Sequence, residues 1–233
     1  MAQSWEKFAP GRYNSAVLRL LLMRHGQTAW NAERKNQGQV DIPLDDIGVE
    51  QSRQLACAIA SKSLTALFSS DLMRCVRTAE IVAEQAKTPV RMDPRLRERN
   101  YGDWEGKTPD EVLREDPDLL HAYRKDPTLV APKNGETGLE VYCRTVSFLF
   151  DFLRTYQQGV FGIVAHGGTV ATLLTALLGA PPSTSACFRI RNCSLTEFVI
   201  EPNGRRRLER FDDVQHLDPP PMDWSRVQPT TQE

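Results

Sequence analysis

Apolar positions along this chain fall into short runs separated by longer stretches with helical spacing. "VLRLLLM" (17–23), "TALFSS" (65–70), "VRM" (90–92) and "VFGIVA" (160–165) read as strands, being short, apolar and bounded by turn formers. "DDIGVEQSRQLACAIAS" (45–61) predicts a helix, with Asp45 as N-cap and Leu55, Ala58 and Ile59 on its inner face. "DLMRCVRTAEIVAEQA" (71–86) predicts a second, opened by Asp71, with Leu72, Val76, Ala79, Ala83 and Ala86 inward. Glu136 to Tyr156 predicts a long helix, with Leu139, Cys143, Val146, Leu149 or Phe150, and Leu153 inward. "TVATLLTALLG" (169–179) predicts another. "CFRI" (187–190), "LTEFVI" (195–200) and "RLERF" (207–211) read as late strands, the last two joined by a hairpin turn at Asn203-Gly204.

Residues 94–135 break this alternation. Thr108-Pro109-Asp110-Glu111 carries the threonine, first-turn proline and glutamate of a capping box, and a second short helix starts at Asp116-Pro117. The segment therefore reads as an insertion of loops and short helices. Residues 1–16 read as a polar arm and 217–233 as a proline-rich tail, which leaves one domain over 17–216. Strands alternating with helices predict an α/β fold in three layers, a mainly parallel central sheet with helices on both faces. The insertion would hang over the carboxyl ends of the strands, where ligands of such sheets bind.

The chain has 233 residues, enough for a full core, and 29 basic against 30 acidic side chains. That balance argues against a general nucleic-acid or membrane-surface binder. No apolar run has the length of a membrane span, and the first residues lack the apolar centre of a secretory signal. Five cysteines (Cys57, Cys75, Cys143, Cys187, Cys193) show no metal-binding spacing, so no metal and no cofactor is expected. The three in helical segments, Cys57, Cys75 and Cys143, read as small buried thiols of a reduced, cytoplasmic protein. Assembly as a homodimer is left open.

Three strand-like runs end in polar residues: Arg24-His25, Ser69-Ser70-Asp71 and His166. In a parallel sheet these ends share one rim. Arg24, Arg74, His25 and His166 would then face one cleft, with Asp71 as the one carboxylate in the same segments, an excess of positive charge. Such a site suits a dianion, and guanidinium forks match phosphate oxygens.

The motifs resemble those of the histidine phosphatase superfamily, the phosphoglycerate mutase-like group. "RHGQTAWN" resembles its Arg-His-Gly-Glu/Gln-Thr-x-x-Asn signature, and "NQGQVDIPLDDIG" its Gln-Gly-x-x-Asp-x-Pro-Leu stretch. "SSDLMRCVRTAEI", "LRERNYGDWEG", "VAHGG" and "NCSLTEF" follow in family order. The resemblance implies a small phosphorylated metabolite as substrate. It implies His25 as a nucleophile that becomes phosphohistidine, and Arg24, Arg74 and His166 around the phosphate oxygens with Asn31 alongside. Glu98 would be the general acid. Gln37, Gly38 and Gly167, within the matched motifs, are implied as further phosphate or substrate contacts.

"ERNYG" is close to the mutase form Glu-Arg-His-Tyr-Gly, with Asn100 in place of histidine, which adds Arg99 and Tyr101 as implied substrate contacts. "GDWEG" is instead phosphatase-like, and no paired arginines with a proline run occur between 115 and 135. A phosphomonoesterase is therefore preferred to a phosphoglycerate mutase. A binding or regulatory member without turnover is the third reading, and retention of Arg24, His25, Arg74, Glu98 and His166 argues against it. "FDDVQHL" departs from a family ending, so nothing catalytic is assigned to Asp212 or His216.

Overall fold

The computed structural model describes residues 17–219; the polar arm and nearly all of the tail lie outside them. Six strands form one sheet: β1 (Leu18–Arg24), β2 (Ala66–Ser69), β3 (Val90–Met92), β4 (Gly159–Ala165), β5 (Leu195–Ile200) and β6 (Arg206–Asp213). Their order is β3-β2-β4-β1-β5-β6. The first four are parallel, and β5 and β6 add an antiparallel edge. Successive residues of β1 face opposite layers, so Leu18, Leu20 and Leu22 enter one core and Leu21 and Met23 the other. The first core is closed by helices α6 (Gly138–Thr155) and α7 (Gly167–Leu178), the second by α2 (Asp46–Ile59) and α3 (Met73–Ala86). The fold is α/β in three layers, as expected. No helix among the described residues is long and apolar enough to cross a membrane.

Several local expectations hold because they rest on short-range chemistry. The Asp45 carboxylate accepts from the Gly48 N–H and caps α2. Thr108 and Glu111 complete the capping box of α4 (Pro109–Glu115), which α5 (Pro117–Lys125) follows. These two helices wrap a small core of Trp104, Val112 and Leu120 packed by Tyr101 and Tyr123, and so build the insertion.

Others are corrected. "CFRI" is not a strand; Pro182–Cys187 is a 3₁₀ turn running into a loop. Asp71 does not cap α3: its carboxylate is gripped by Arg97 through two hydrogen bonds of 2.6–2.7 Å, and that bond holds it below the usual carboxylate range. The inner face of α6 is Val141, Thr145, Phe148, Leu149 and Phe152, while Leu139, Cys143 and Phe150 face outward. The helix starts at Gly138, capped by Thr137, and its large aromatics close on Phe68 and Phe161, whose bulk sets which face is covered. On α2, Ala56 rather than Ala58 is inside, and on α3 the buried positions include Cys75, Thr78 and Val82. Cys57 and Cys143 are exposed, leaving Cys75 as the one buried thiol of the three.

Candidate active site

β1, β2 and β4 run parallel, so Arg24-His25, Ser69-Ser70 and His166 do meet at one rim. Arg24 pairs across to Ala165, and the His25 N–H donates to the Ala165 carbonyl at 3.0 Å. The chain can then turn sharply only because residue 26 is glycine: a Cβ there would lie 2.3 Å from the Gly48 carbonyl at the start of α2. His166 follows β4 directly and occupies the N-cap position of α7, whose first N–H groups and dipole point into the same space.

A cavity of about 160 Å³, large enough for a phosphate group, opens here among Arg24, His25, Asn31, Arg74, Glu98 and His166. Lys35, Gln37, Gly38 and Tyr101 also line it. His25 and His166 are almost wholly buried, with ring centroids 5.2 Å apart. His25 Nδ1 lies 2.7 Å from the Gly26 carbonyl, which can only accept; Nδ1 therefore carries the proton, and the Nε2 lone pair is free. Burial, and then the charges of Arg74 and Arg24, hold this imidazole well below its usual range. His166 is lowered for the same reasons, burial first. It accepts from Arg74 Nε at Nδ1 (3.2 Å), and its Nε2 faces Ser70 Oγ at 2.9 Å.

Neither Arg24 nor Arg74 forms an ion pair among the described residues. Arg24 donates to the Ile190 carbonyl while its buried Nε has no partner, and Arg74 donates to the carbonyls of Val40 and Gly38. Two guanidiniums held by carbonyls, beside neutral imidazoles and with Glu98 as the one carboxyl of the lining, give the site an excess of positive charge. It has the character a phosphate dianion requires. Asn31 closes the short helix α1 (Ala29–Ala32) onto Thr28, and its Oδ1 also accepts from Asn192. With the oxygen occupied, the Asn31 NH₂ is the group left for a ligand.

Glu98 enters from the insertion. The Arg99 and Gly168 N–H groups donate to its two carboxylate oxygens at 2.9 and 3.1 Å. The neighbouring carboxylates are committed elsewhere: Glu105 accepts from the N–H groups of Gln39 and Tyr101, and Asp103 from Asn134.

Three expected contacts sit differently. Arg99 does not reach the phosphate cavity, because its guanidinium donates to Tyr123 and to the carbonyls of Glu136, Pro127 and Val130, tying the insertion together. Gly38 lines the cavity, but its carbonyl turns to Arg74 and its positive φ of 53° shapes the loop. Gly167 packs over Arg24, and it is Gly168 whose N–H meets Glu98. Asp212 and His216 do not line this cavity: Asp212 holds Arg191, and His216 meets the Cys193 carbonyl.

Sequence reasoning missed the groups that hold the site in place. Asn192 donates to the carbonyls of His25 and Gly26; only its place just before a late strand hinted at this. Arg144 on α6 donates to the carbonyls of Arg95, Arg97 and Glu98 and pairs with Glu136. No local pattern marks it.

Residues 20–213 match the model of the Histidine phosphatase superfamily (branch 1). A relative from Escherichia fergusonii, named "Probable phosphoglycerate mutase GpmB", is 35% identical over 211 residues, 89% of this chain and 98% of that one. A solved mycobacterial glucosyl-3-phosphoglycerate phosphatase in complex with VO3 is 32% identical, with a TM-score of 0.77 over 84% of this chain and 99% of that one. The α-ribazole phosphatase of Shigella flexneri is 27% identical, with a TM-score of 0.78 over 84% and 96%. With the family's sheet, its paired histidines and its arginines in one cleft, the chain belongs to the histidine phosphatase superfamily.

Proposed function

We propose that this protein is a phosphomonoesterase that acts through a phosphohistidine on a small phosphorylated metabolite, without a metal. The observation that carries the reading is the free Nε2 of a buried, neutral His25 facing a cavity with two guanidiniums unpaired by carboxylates. In the first step Nε2 attacks phosphorus, the ester P–O bond breaks, and Glu98 gives its proton to the departing alkoxide. In the second, Glu98 takes a proton from water, the water oxygen bonds to phosphorus, and the N–P bond breaks to release phosphate. Phosphoryl transfer needs mainly positioning and stabilisation of charge on the phosphate oxygens. Arg24, Arg74, the Asn31 amide and the α7 N-terminus would supply both.

The name of the Escherichia fergusonii relative favours a mutase as the second reading. A mutase must also hold a substrate carboxylate, which calls for a further free cation. Arg99 is bound to carbonyls of the insertion, and Lys35 is paired with Glu33 at 2.7 Å. The cation left, Arg124, is exposed and lies outside the phosphate cavity, which speaks for hydrolysis. The test is a rapid-quench experiment with a chromogenic phosphate ester in the presence of EDTA. The wild-type chain should turn over and yield an acid-labile, base-stable phosphoenzyme that His25→Ala lacks. Turnover by folded His25→Ala, or dependence on added metal, would overturn the proposal. Conversion of 3-phosphoglycerate only when 2,3-bisphosphoglycerate is added would establish the mutase instead.

A further inference from the structure

A second cavity of about 350 Å³ adjoins the phosphate cavity, and Glu98 and Tyr101 line both. Resting on the phosphomonoesterase reading, we propose that this cavity receives the alcohol half of the ester, and that this alcohol is a bulky, uncharged, mainly apolar ring. The position of Glu98 fixes the direction. A general acid must touch the ester oxygen, so with phosphorus on the His25 side the carbon skeleton continues past Glu98 into the larger space.

The size and walls of that space then select the chemistry. It falls in the range of pockets that enclose ring-bearing ligands, and a three-carbon acid would leave most of it empty. Tyr101, Tyr123, Pro127 and Val141 provide aromatic and aliphatic surface. The hydroxyls of Thr172 and Ser185 already donate to the Gly168 and Pro182 carbonyls, and those of Tyr101 and Tyr123 bond each other and Arg99, which leaves Thr128 as the lining hydroxyl for a polyhydroxylated ring. Arg99 also borders the cavity, yet its donors are committed to Tyr123 and to backbone carbonyls. A carboxylate would therefore find this guanidinium of the lining already committed. The remaining cation, Arg124, is exposed to solvent.

Two sets of esters with matched reacting centres, an aryl pair and three primary alkyl esters, test this. 2-Naphthyl phosphate should exceed phenyl phosphate in kcat/KM by about tenfold, from burial of the second ring. Cyclohexylmethyl phosphate should exceed glucose 6-phosphate and 3-phosphoglycerate, also primary alkyl esters, by about tenfold or more. Ala186→Trp, which fills the cavity from an exposed position on its rim, should collapse the naphthyl-to-phenyl ratio towards one. Equal rates within both sets, an unchanged ratio in Ala186→Trp, or preference for the sugar or the hydroxy acid would overturn this inference while leaving the phosphatase reading standing. Absence of hydrolysis of every ester would overturn both.

Discussion

Arg144 carries no chemistry, yet replacing it should disable the general acid. Its guanidinium donates to the carbonyls of Arg95 (2.9 Å), Arg97 (2.6 Å) and Glu98 (2.9 Å), and to both Glu136 oxygens at 2.9 and 3.0 Å. Glu136 in turn accepts from the Asn100 N–H at 2.8 Å. The segment that presents Glu98 is thus gripped by one cation from α6, which shares the Arg97 carbonyl with Thr169 and the Glu98 carbonyl with Gln39. Arg144→Met keeps much of the side-chain volume but leaves three carbonyls and a carboxylate without this donor. Hydrogen bonds to a charged group contribute about 1.5–3 kcal/mol each, and loss of one partner of a buried pair costs about 3–5 kcal/mol. Arg144 and Glu136 keep side-chain exposures of 18% and 23%, so water repairs part of the loss. A destabilisation of about 2–4 kcal/mol results, read as a lower urea midpoint at unchanged m-value. A shift of about 1 Å in Glu98 should cost about 10²-fold in turnover of alkyl phosphates. p-Nitrophenyl phosphate, whose leaving group needs no proton, should lose far less, and Arg144→Lys should recover part of both effects. Equal losses on the two esters would show that Arg144 stabilises the fold without aiming Glu98. Wild-type stability would refute the hydrogen-bond reasoning itself.

Two further outcomes follow from the site. Glu98→Gln should slow esters with basic alcohol leaving groups about 10²-fold more than p-nitrophenyl phosphate, and equal losses would remove it as the acid. His25 and His166 are held well below the ordinary imidazole range by burial and the nearby arginines, so the unfolded chain binds more protons at low pH. Stability should therefore be full above about pH 6.5 and fall below it, by up to about 1.4 kcal/mol per pH unit for each histidine, until the folded-state values are reached. Urea midpoints at about pH 7.5 and about pH 5 check this, with His166→Gln flattening the slope; equal midpoints would refute it.

Some of this protein was determined by neighbours in sequence. A run such as Leu20-Leu21-Leu22-Met23, too short for a helix and closed by a glycine, reads as a strand buried on both faces, and its abrupt end in Arg24-His25-Gly26 marks a rim wherever the sheet goes. The caps at Asp45 and Thr108 and the hairpin at Asn203-Gly204 close within four residues, so sequence suffices for them. The alternation of strands and helices likewise dictated a parallel sheet that gathers His25, Ser70 and His166. Partner choice over long separations was settled elsewhere. Asp71 could cap a helix or meet a cation, and the arrival of Arg97, 26 residues on, decided it. Periodicity allowed several faces of α6, and the aromatic surface of β2 and β4 selected Phe148 and Phe152 over Leu139 and Phe150. Arg99 and Arg144 look alike in sequence as charged residues near carboxylates. Only the packed insertion reveals that both bind backbone carbonyls, because a guanidinium's worth depends on which acceptors the tertiary fold leaves without water.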